Sequence, residues 1–173
     1  MLSKHIIEKA KSQVRRYLDE ELLTKVLPRS HILDIFIGNA DESLELAEDI
    51  LRTNKSDLWV IVTSYYSMFY IANAVLYKKG LKVGNTSAHA ITANALIVYV
   101  RDSLQKSLIE GFAEAMTEAQ SSMKAEDLLD SFFQERKKRG DFQYDMSLTL
   151  KKSKAETSFN RAKDFVFNLK KIL

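Results

Sequence analysis

Residues 58–77 form the stretch LWVIVTSYYSMFYIANAVLY, which contains no charged side chain. Ser56 and Asp57 before it suit a helix N-terminus, and the lysines and glycine at residues 78–80 suit a C-terminus. The stretch is long enough to span a bilayer, but its tyrosines and hydroxyl side chains are spread throughout it instead of lying near the ends. Because large residues fall on every face, we expect a buried central helix with one face left for a partner.

The composition of the 173-residue chain favours a helical bundle. It has only five glycines and one proline, and 46% of its residues are hydrophobic. The absence of cysteine excludes disulfides, thiolate metal ligands and cysteine nucleophiles. The net charge of +3 is too small to indicate a nucleic-acid-binding protein by itself. Charged residues interrupt any apolar run near the N-terminus, so we expect a cytoplasmic protein that does not bind a membrane.

Hydrophobic periodicity predicts helices on both sides of the central one. The expected segments are residues 3–26, 31–51, 86–99 and 112–138, with a break near Ser121, and a last helix that starts at a capping box at Ser153. No segment alternates long enough to predict a sheet. We therefore predict an all-α fold, an antiparallel up-and-down bundle with a four-helix core and an extra N-terminal helix. The expected division is an extension at residues 1–29 and a bundle at residues 30–173.

Three groups of residues are candidates for function. The tyrosine block at residues 65–70 suits core and interface packing, although buried phenols need hydrogen-bond partners and one or two of them can line a polar cleft. The basic segment at residues 136–139 suits either a helix C-terminus or a phosphate site, with Phe142 and Tyr144 near enough to stack on a base. His89 is expected at a helix start, in a surface or capping role. The three histidines have no metal-ligand spacing, so no metal is expected.

Three segments together resemble the HEPN superfamily (higher eukaryotes and prokaryotes nucleotide-binding domain), nearest its small prokaryotic branch. The first is ADESLELAE at residues 40–48. The second is SYYSMFY at residues 64–70, followed by KGL at residues 79–81 and then His89. The third is RKKRGDF at residues 136–142, followed by RAKDFV at residues 161–166. The resemblance covers about residues 31–173.

The resemblance implies a helical bundle that dimerises and binds RNA or a nucleotide. The binding residues it suggests are Tyr65, Tyr66, Arg136, Arg139 and Asp141. Many members of the superfamily are metal-independent RNases with an R-x(4–6)-H motif, and others pair with a small nucleotidyltransferase as toxin and antitoxin. In this chain Arg139 is followed after four residues by Tyr144 where the motif has a histidine, and no histidine follows Arg136 anywhere in the sequence. A tyrosine with a pKa near 10 is a poor general base.

Three functions therefore stay open. The first is a homodimeric RNA- or nucleotide-binding protein, which the altered motif favours. The second is a metal-independent endoribonuclease with Arg139 and Tyr144 as catalytic residues. His89 would transfer the proton in that enzyme only if the fold brought it to the substrate. The third is a non-catalytic partner protein of a nucleotidyltransferase. None of them calls for a cofactor. We also expect Arg136 or Arg139 to lie within reach of Tyr65 or Tyr66.

Overall fold

The structure is a computed structural model that describes the backbone of residues 2–136 and 148–173, and the side chains of residues 2–123 and 152–173. The described helices are α1 (Lys4–Asp19), α2 (Ser30–Thr53), α3 (Asp57–Lys78), α4 (Ala88–Tyr99), α5 (Lys106–Arg136) and α6 (Leu148–Lys170). Two short strands, β1 (Leu23–Lys25) and β2 (Leu81–Val83), and a 3-10 turn at Arg101–Ser103 complete the order. The predicted all-α bundle is confirmed. Helix α3 lies in the middle and packs against α2, α4, α5 and α6.

Helix α3 differs from the predicted central helix by one residue at each end. The Ser56 side chain caps it by accepting a hydrogen bond from the Trp59 backbone N–H at 3.3 Å. At its other end Gly80 has φ +81°, and a Cβ there would lie 3.1 Å from the Val26 carbonyl oxygen. The helix is long and apolar enough to cross a membrane, but 72% of its most apolar stretch is buried inside the bundle. That burial is typical of the core helix of a soluble protein.

The N-terminal segment departs from the sequence prediction. Helix α1 ends at Asp19 instead of continuing to Val26, and Glu21 then adopts φ 56°. Strand β1 follows and pairs antiparallel with β2, with Thr24 opposite Lys82. The prediction of a continuous helix and of no sheet was therefore wrong. Three-residue strands are too short to show an alternating pattern, and the pairing partner is 58 residues away.

The last two helices also differ from prediction. Helix α5 begins at Lys106 and continues through Ser121 without a break, because Phe112, Ala115 and Ala119 hold it in the core. Helix α6 begins at Leu148, so Ser153 lies inside it and the predicted capping box was wrong. In α5, apolar packing outweighs the weak local preference of serine for helix ends.

Candidate functional site

The site begins with a buried tyrosine. Tyr65, 2% exposed, lies on α3, and its phenolic oxygen is 2.7 Å from Nδ1 of His89 on α4. Burial, and to a smaller degree the neighbouring Tyr66, raises the pKa of the Tyr65 phenol far above its usual range. Tyr65 therefore stays protonated. Because Nδ1 is the only hydrogen-bond partner of this buried hydroxyl among the described residues, we assign the O–H as the donor and Nδ1 as the acceptor. In a neutral His89 the proton is then carried by the other ring nitrogen, Nε2.

His89 lies in the first turn of α4, as predicted, and is half-buried. The centroid of its ring is 4.6 Å from that of Phe69 and 6.0 Å from that of Tyr66, which meets it edge-on. Burial lowers the pKa of the imidazole below its ordinary value, and the positive end of the helix dipole acts in the same direction. His89 is therefore neutral near pH 7 and presents Nε2–H as a hydrogen-bond donor.

Three partly exposed rings continue from this pair towards the surface. The Tyr66 ring lies 6.3 Å from Phe69 and 6.1 Å from Tyr70. We call Tyr65, Tyr66, Phe69, Tyr70 and His89 the tyrosine–histidine cluster. The cluster combines aromatic faces, phenol hydroxyls and one imidazole N–H in a small area. Such a set can stack on a planar ligand and donate hydrogen bonds to it.

Two contacts beneath the cluster fix its position. Phe112 of α5 lies 5.8 Å from Tyr65 on one side and 5.5 Å from Phe165 of α6 on the other. The buried Asn73 side chain donates to Thr92 Oγ1 at 3.2 Å, which links α3 to α4 one turn beyond the histidine. Because a buried amide that loses its partner costs free energy, this bond holds the two helices in one register.

A second surface runs along α3 from the cluster. Trp59, Thr63, Tyr66 and Tyr70 follow one another at spacings of four, three and four, so they lie on one side of the helix. Trp59 is 52% exposed, and the others are partly exposed. This is the side of α3 that the surrounding helices leave uncovered. It matches the prediction of a central helix with one open face.

The neighbouring flank of α2 extends this apolar surface. Phe36 packs against Tyr77 of α3 on this flank, with ring centroids 6.0 Å apart, whereas Asp41 on the opposite flank pairs with α6. Helical spacing puts Ile35 and Leu46, which are 54% and 51% exposed, nearer the Phe36 side. The α2/α3 face is the set of exposed apolar side chains Ile35, Leu46 and Trp59, and it leaves the rings of the tyrosine–histidine cluster free.

Several predicted site residues fall outside what the structure describes. Arg139, Asp141 and Tyr144 lie outside the described residues. Arg136 ends helix α5, but its side chain is not among the described ones. The predicted approach of Arg136 or Arg139 to Tyr65 or Tyr66 therefore stays a prediction. Within the described side chains, no group of three or more histidine, cysteine, aspartate or glutamate residues can hold a metal ion.

The sequence pointed to Tyr65, Tyr66 and His89 separately. It did not indicate the hydrogen bond between Tyr65 and His89. It also missed the supporting residues Asn73 and Phe112. Helical spacing puts Phe69 and Asn73 on one side of α3 with the tyrosine pair, and this was the available signal. No signal in the sequence indicated that α4 would present His89 to that side.

The comparison with protein families agrees with the fold. The HEPN domain family matches residues 33–172, which include the whole tyrosine–histidine cluster and leave α1 and β1 outside. No curated protein matches the chain.

Proposed function

The chain belongs to the HEPN domain family, and from this premise we propose that it is a homodimeric protein that binds RNA or a nucleotide. Membership in the family supports a function related to RNA or nucleotides. The tyrosine–histidine cluster is the single observation that carries the proposal for this chain. It brings partly exposed rings and a neutral imidazole donor together at the end of a buried hydrogen bond.

The chemistry of the cluster suits a nucleobase. Tyr66 and Tyr70 offer ring faces at the surface, and stacking of a base on such a ring contributes about 1–3 kcal/mol. The Nε2–H of His89 is directed by its bond to Tyr65 and is available to a base oxygen or a phosphate oxygen. The arginines at residues 136 and 139, outside the described side chains, would add charge for phosphate.

The α2/α3 face supports the dimer. Three large apolar residues of the adjoining helices α2 and α3 are each about half exposed, namely Ile35, Leu46 and Trp59, and exposed apolar side chains of this kind are typical of an interface. Acidic residues of α2, among them Glu42 and Asp49, lie beside it and would repel a nucleic acid. A second copy of this chain is therefore the occupant we propose. A stable interface of this kind buries roughly 1,600 Å² in total.

Endoribonuclease activity is less well supported by the geometry. A general base needs a free lone pair, but Nδ1 of His89 already accepts the hydrogen bond from Tyr65. Presenting Nε2 as a base would move the proton to Nδ1 and leave the buried Tyr65 hydroxyl without its acceptor. That change costs about 1–3 kcal/mol. His89 is better suited to donate a hydrogen bond than to remove a proton.

Binding to a labelled single-stranded RNA oligonucleotide and to labelled ATP tests the proposal. We expect the wild-type protein to bind at least one of them, and Tyr66→Ala and Arg139→Ala to weaken that binding by about tenfold or more. Phe167→Ala is the matched control, since it removes an exposed aromatic ring from α6, away from the cluster. Binding that is absent from the wild type, or equal in Tyr66→Ala and in the control, would contradict the proposal. The same mixtures, run on a gel with a chelator present, should show intact RNA.

A further inference from the structure

Helix α1 carries most of its cations before its carboxylates along the chain. Five cations and a single carboxylate lie between Lys4 and Arg16, and the first turn contains no acidic residue. Carboxylates then follow at Asp19, Glu20 and Glu21. Lys4 in the first turn and Asp19 in the last turn oppose the helix dipole, whereas Arg16 in the last turn favours it. When residues break a local rule without a compensating contact, a functional role is the usual reason.

The apolar side of α1 is already occupied. Ala10, Val14 and Tyr17 are buried, and the helix packs against α4. The Tyr17 hydroxyl accepts a hydrogen bond from Asn94 of α4 at 3.4 Å. Apart from Ile6, which is 43% exposed, the solvent side of α1 is polar, so the helix lacks the broad apolar face with which membrane-binding helices enter a lipid surface.

The cations on this solvent side are largely free of carboxylates. Lys11 pairs with Glu8 at 2.9 Å, and Arg16 lies 3.8 Å from Glu20. Among the described side chains, no carboxylate lies within ion-pair distance of Lys4, Lys9 or Arg15, although all three are exposed. Repulsion between like charges therefore persists along the helix until an anion is supplied from outside.

One further cation joins this surface from the rest of the bundle. The pKa of the Glu8 carboxyl lies below its usual value, first because Lys11 donates a hydrogen bond to it, and then because Lys11, Arg15 and Arg101 lie near. Arg101 lies two residues after the end of α4, where its guanidinium donates to the Ile97 carbonyl oxygen at 2.9 Å and pairs with Asp102 at 3.3 Å. The basic side of α1 therefore meets the C-terminal end of α4.

We propose that this surface binds the phosphate backbone of single-stranded RNA. It consists of Lys4, Lys9, Lys11, Arg15, Arg16 and Arg101. The thirteen residues from Lys4 to Arg16 span about 18 Å, enough to contact several phosphates. The inference rests on the proposed function, and it assigns part of the binding to residues outside the matched domain at residues 33–172. Lysine and arginine bind the backbone without reading its sequence, so the contact is independent of RNA sequence.

The test is a charge-matched pair of triple variants in the full chain. The first carries Lys4→Gln, Lys9→Gln and Arg15→Gln. The control carries Lys106→Gln, Lys163→Gln and Lys171→Gln, which remove the same net charge from exposed positions on α5, α6 and the residue after α6. Affinity for a labelled single-stranded RNA oligonucleotide is measured by fluorescence anisotropy over a series of salt concentrations, and thermal unfolding is followed by circular dichroism.

We expect the α1 variant to bind RNA about tenfold or more weakly than the wild type. The slope of log K against log[salt] should fall in magnitude by roughly two, because each phosphate contact to a single strand contributes about 0.7 to it. It should unfold at nearly the same temperature as the wild type, since the three positions are exposed and have no ion pair among the described side chains. The control should keep the affinity and slope of the wild type. Equal losses in both variants would show a general charge effect and overturn the proposal.

Other outcomes separate this inference from the function on which it rests. If the wild type binds RNA and the α1 variant binds it equally well, the α1 surface is not the contact, while the proposed function stands. If the wild type binds no RNA, both fail. Vesicles of phosphatidylserine and phosphatidylcholine supply a second polyanion. Binding to them that is tighter than binding to RNA, and that is lost in the α1 variant, would also overturn the assignment to RNA.

Discussion

The bond between Tyr65 and His89 determines the protonation of both side chains. The phenol donates to Nδ1, and this interaction exists only while the imidazole is neutral at that nitrogen. Burial lowers the pKa of His89. Because a hydrogen bond to the neutral form disfavours the charged form, we expect the bond from Tyr65 to act in the same direction. We therefore predict that Tyr65→Phe raises the pKa of His89 towards that of a free imidazole.

NMR titration of the imidazole protons measures this shift directly. Tyr99→Phe is the matched control, because it removes a phenol from α4 at a position where the structure shows no hydrogen bond to His89. A His89 pKa that is the same in Tyr65→Phe and in the wild type would contradict the assigned bond. The variant should also lose about 1 kcal/mol of stability, because a buried acceptor is left unpaired.

The lowered pKa of His89 also fixes the sign of a pH effect on stability. The unfolded chain takes up a proton on this histidine near its ordinary pKa of 6.5, before the folded protein does. The contribution of neutral His89 to the free energy of unfolding is therefore fully present above pH 6.5. It is lost as the pH falls towards the pKa of His89 in the folded protein. Tyr65→Phe should reduce this loss, and urea unfolding at a series of pH values measures it.

At the residue scale, the sequence named side chains that the structure brings together, but it did not predict how they interact. The density of tyrosines and the single central histidine identified Tyr65, Tyr66 and His89. Their bond depends on the rotation of α4 about its axis, which the Asn73–Thr92 contact fixes. A pair 24 residues apart leaves no periodic trace in the sequence.

The contact between α5 and α6 depends on Arg161. Its guanidinium reaches Glu118 at 2.9 Å and Glu114 at 3.3 Å, and its side chain is only 21% exposed. We predict that Arg161→Met lowers the free energy of unfolding by about 1 kcal/mol, which corresponds to roughly 2–4 °C in Tm. Differential scanning calorimetry measures both quantities.

Lys163→Met provides the control for that change. It removes an exposed cation from the same helix that has no ion pair among the described side chains. We expect it to change stability by less than about 0.5 kcal/mol. Equal effects of the two substitutions would mean that the ion pairs of Arg161 contribute nothing to the helix contact.

At the element scale, prediction was reliable where one segment carried its own signal. Helix α3 combines a capping serine, an uncharged run and a terminal glycine, so its bounds were predicted within a residue. The sequence predicted one helix where the structure has helix α1 and strand β1, because the apolar residues Leu22, Leu23 and Val26 continue the spacing of a helix. Pairing with β2, which the local sequence does not indicate, decided the outcome. The division of the chain at residue 30 stays a prediction, since α1 packs on α4 and β1 pairs with β2.

At the scale of the whole molecule, the α2/α3 face predicts a dimer that a single charge can disrupt. Trp59→Glu would bury an unpaired carboxylate in the interface, which costs about 3 kcal/mol or more and raises the dissociation constant roughly a hundredfold. Size-exclusion chromatography with light scattering at micromolar concentration distinguishes dimer from monomer. Phe167→Glu is the control, since it places the same charge on an exposed ring of α6.

A wild-type monomer at that concentration would refute the dimer. A Trp59→Glu variant that stays dimeric while Phe167→Glu dissociates would move the interface to α6. Since Trp59 is already 52% exposed within one chain, neither substitution should unfold the protomer. Circular dichroism of both variants checks this.

The pairing of β1 with β2 also sets an order for synthesis of the chain. Thr24 leaves the ribosome 58 residues ahead of its partner Lys82. At roughly 5–20 residues per second, the N-terminal segment waits about 3–12 s before its partner strand emerges. During that interval Val14, Tyr17 and Leu23 have no surface to cover them, while α2 and α3 can already pair as neighbours. In the nascent protein α2 can therefore pair with α3 before α1 and β1, the first segments to emerge, have their packing partners.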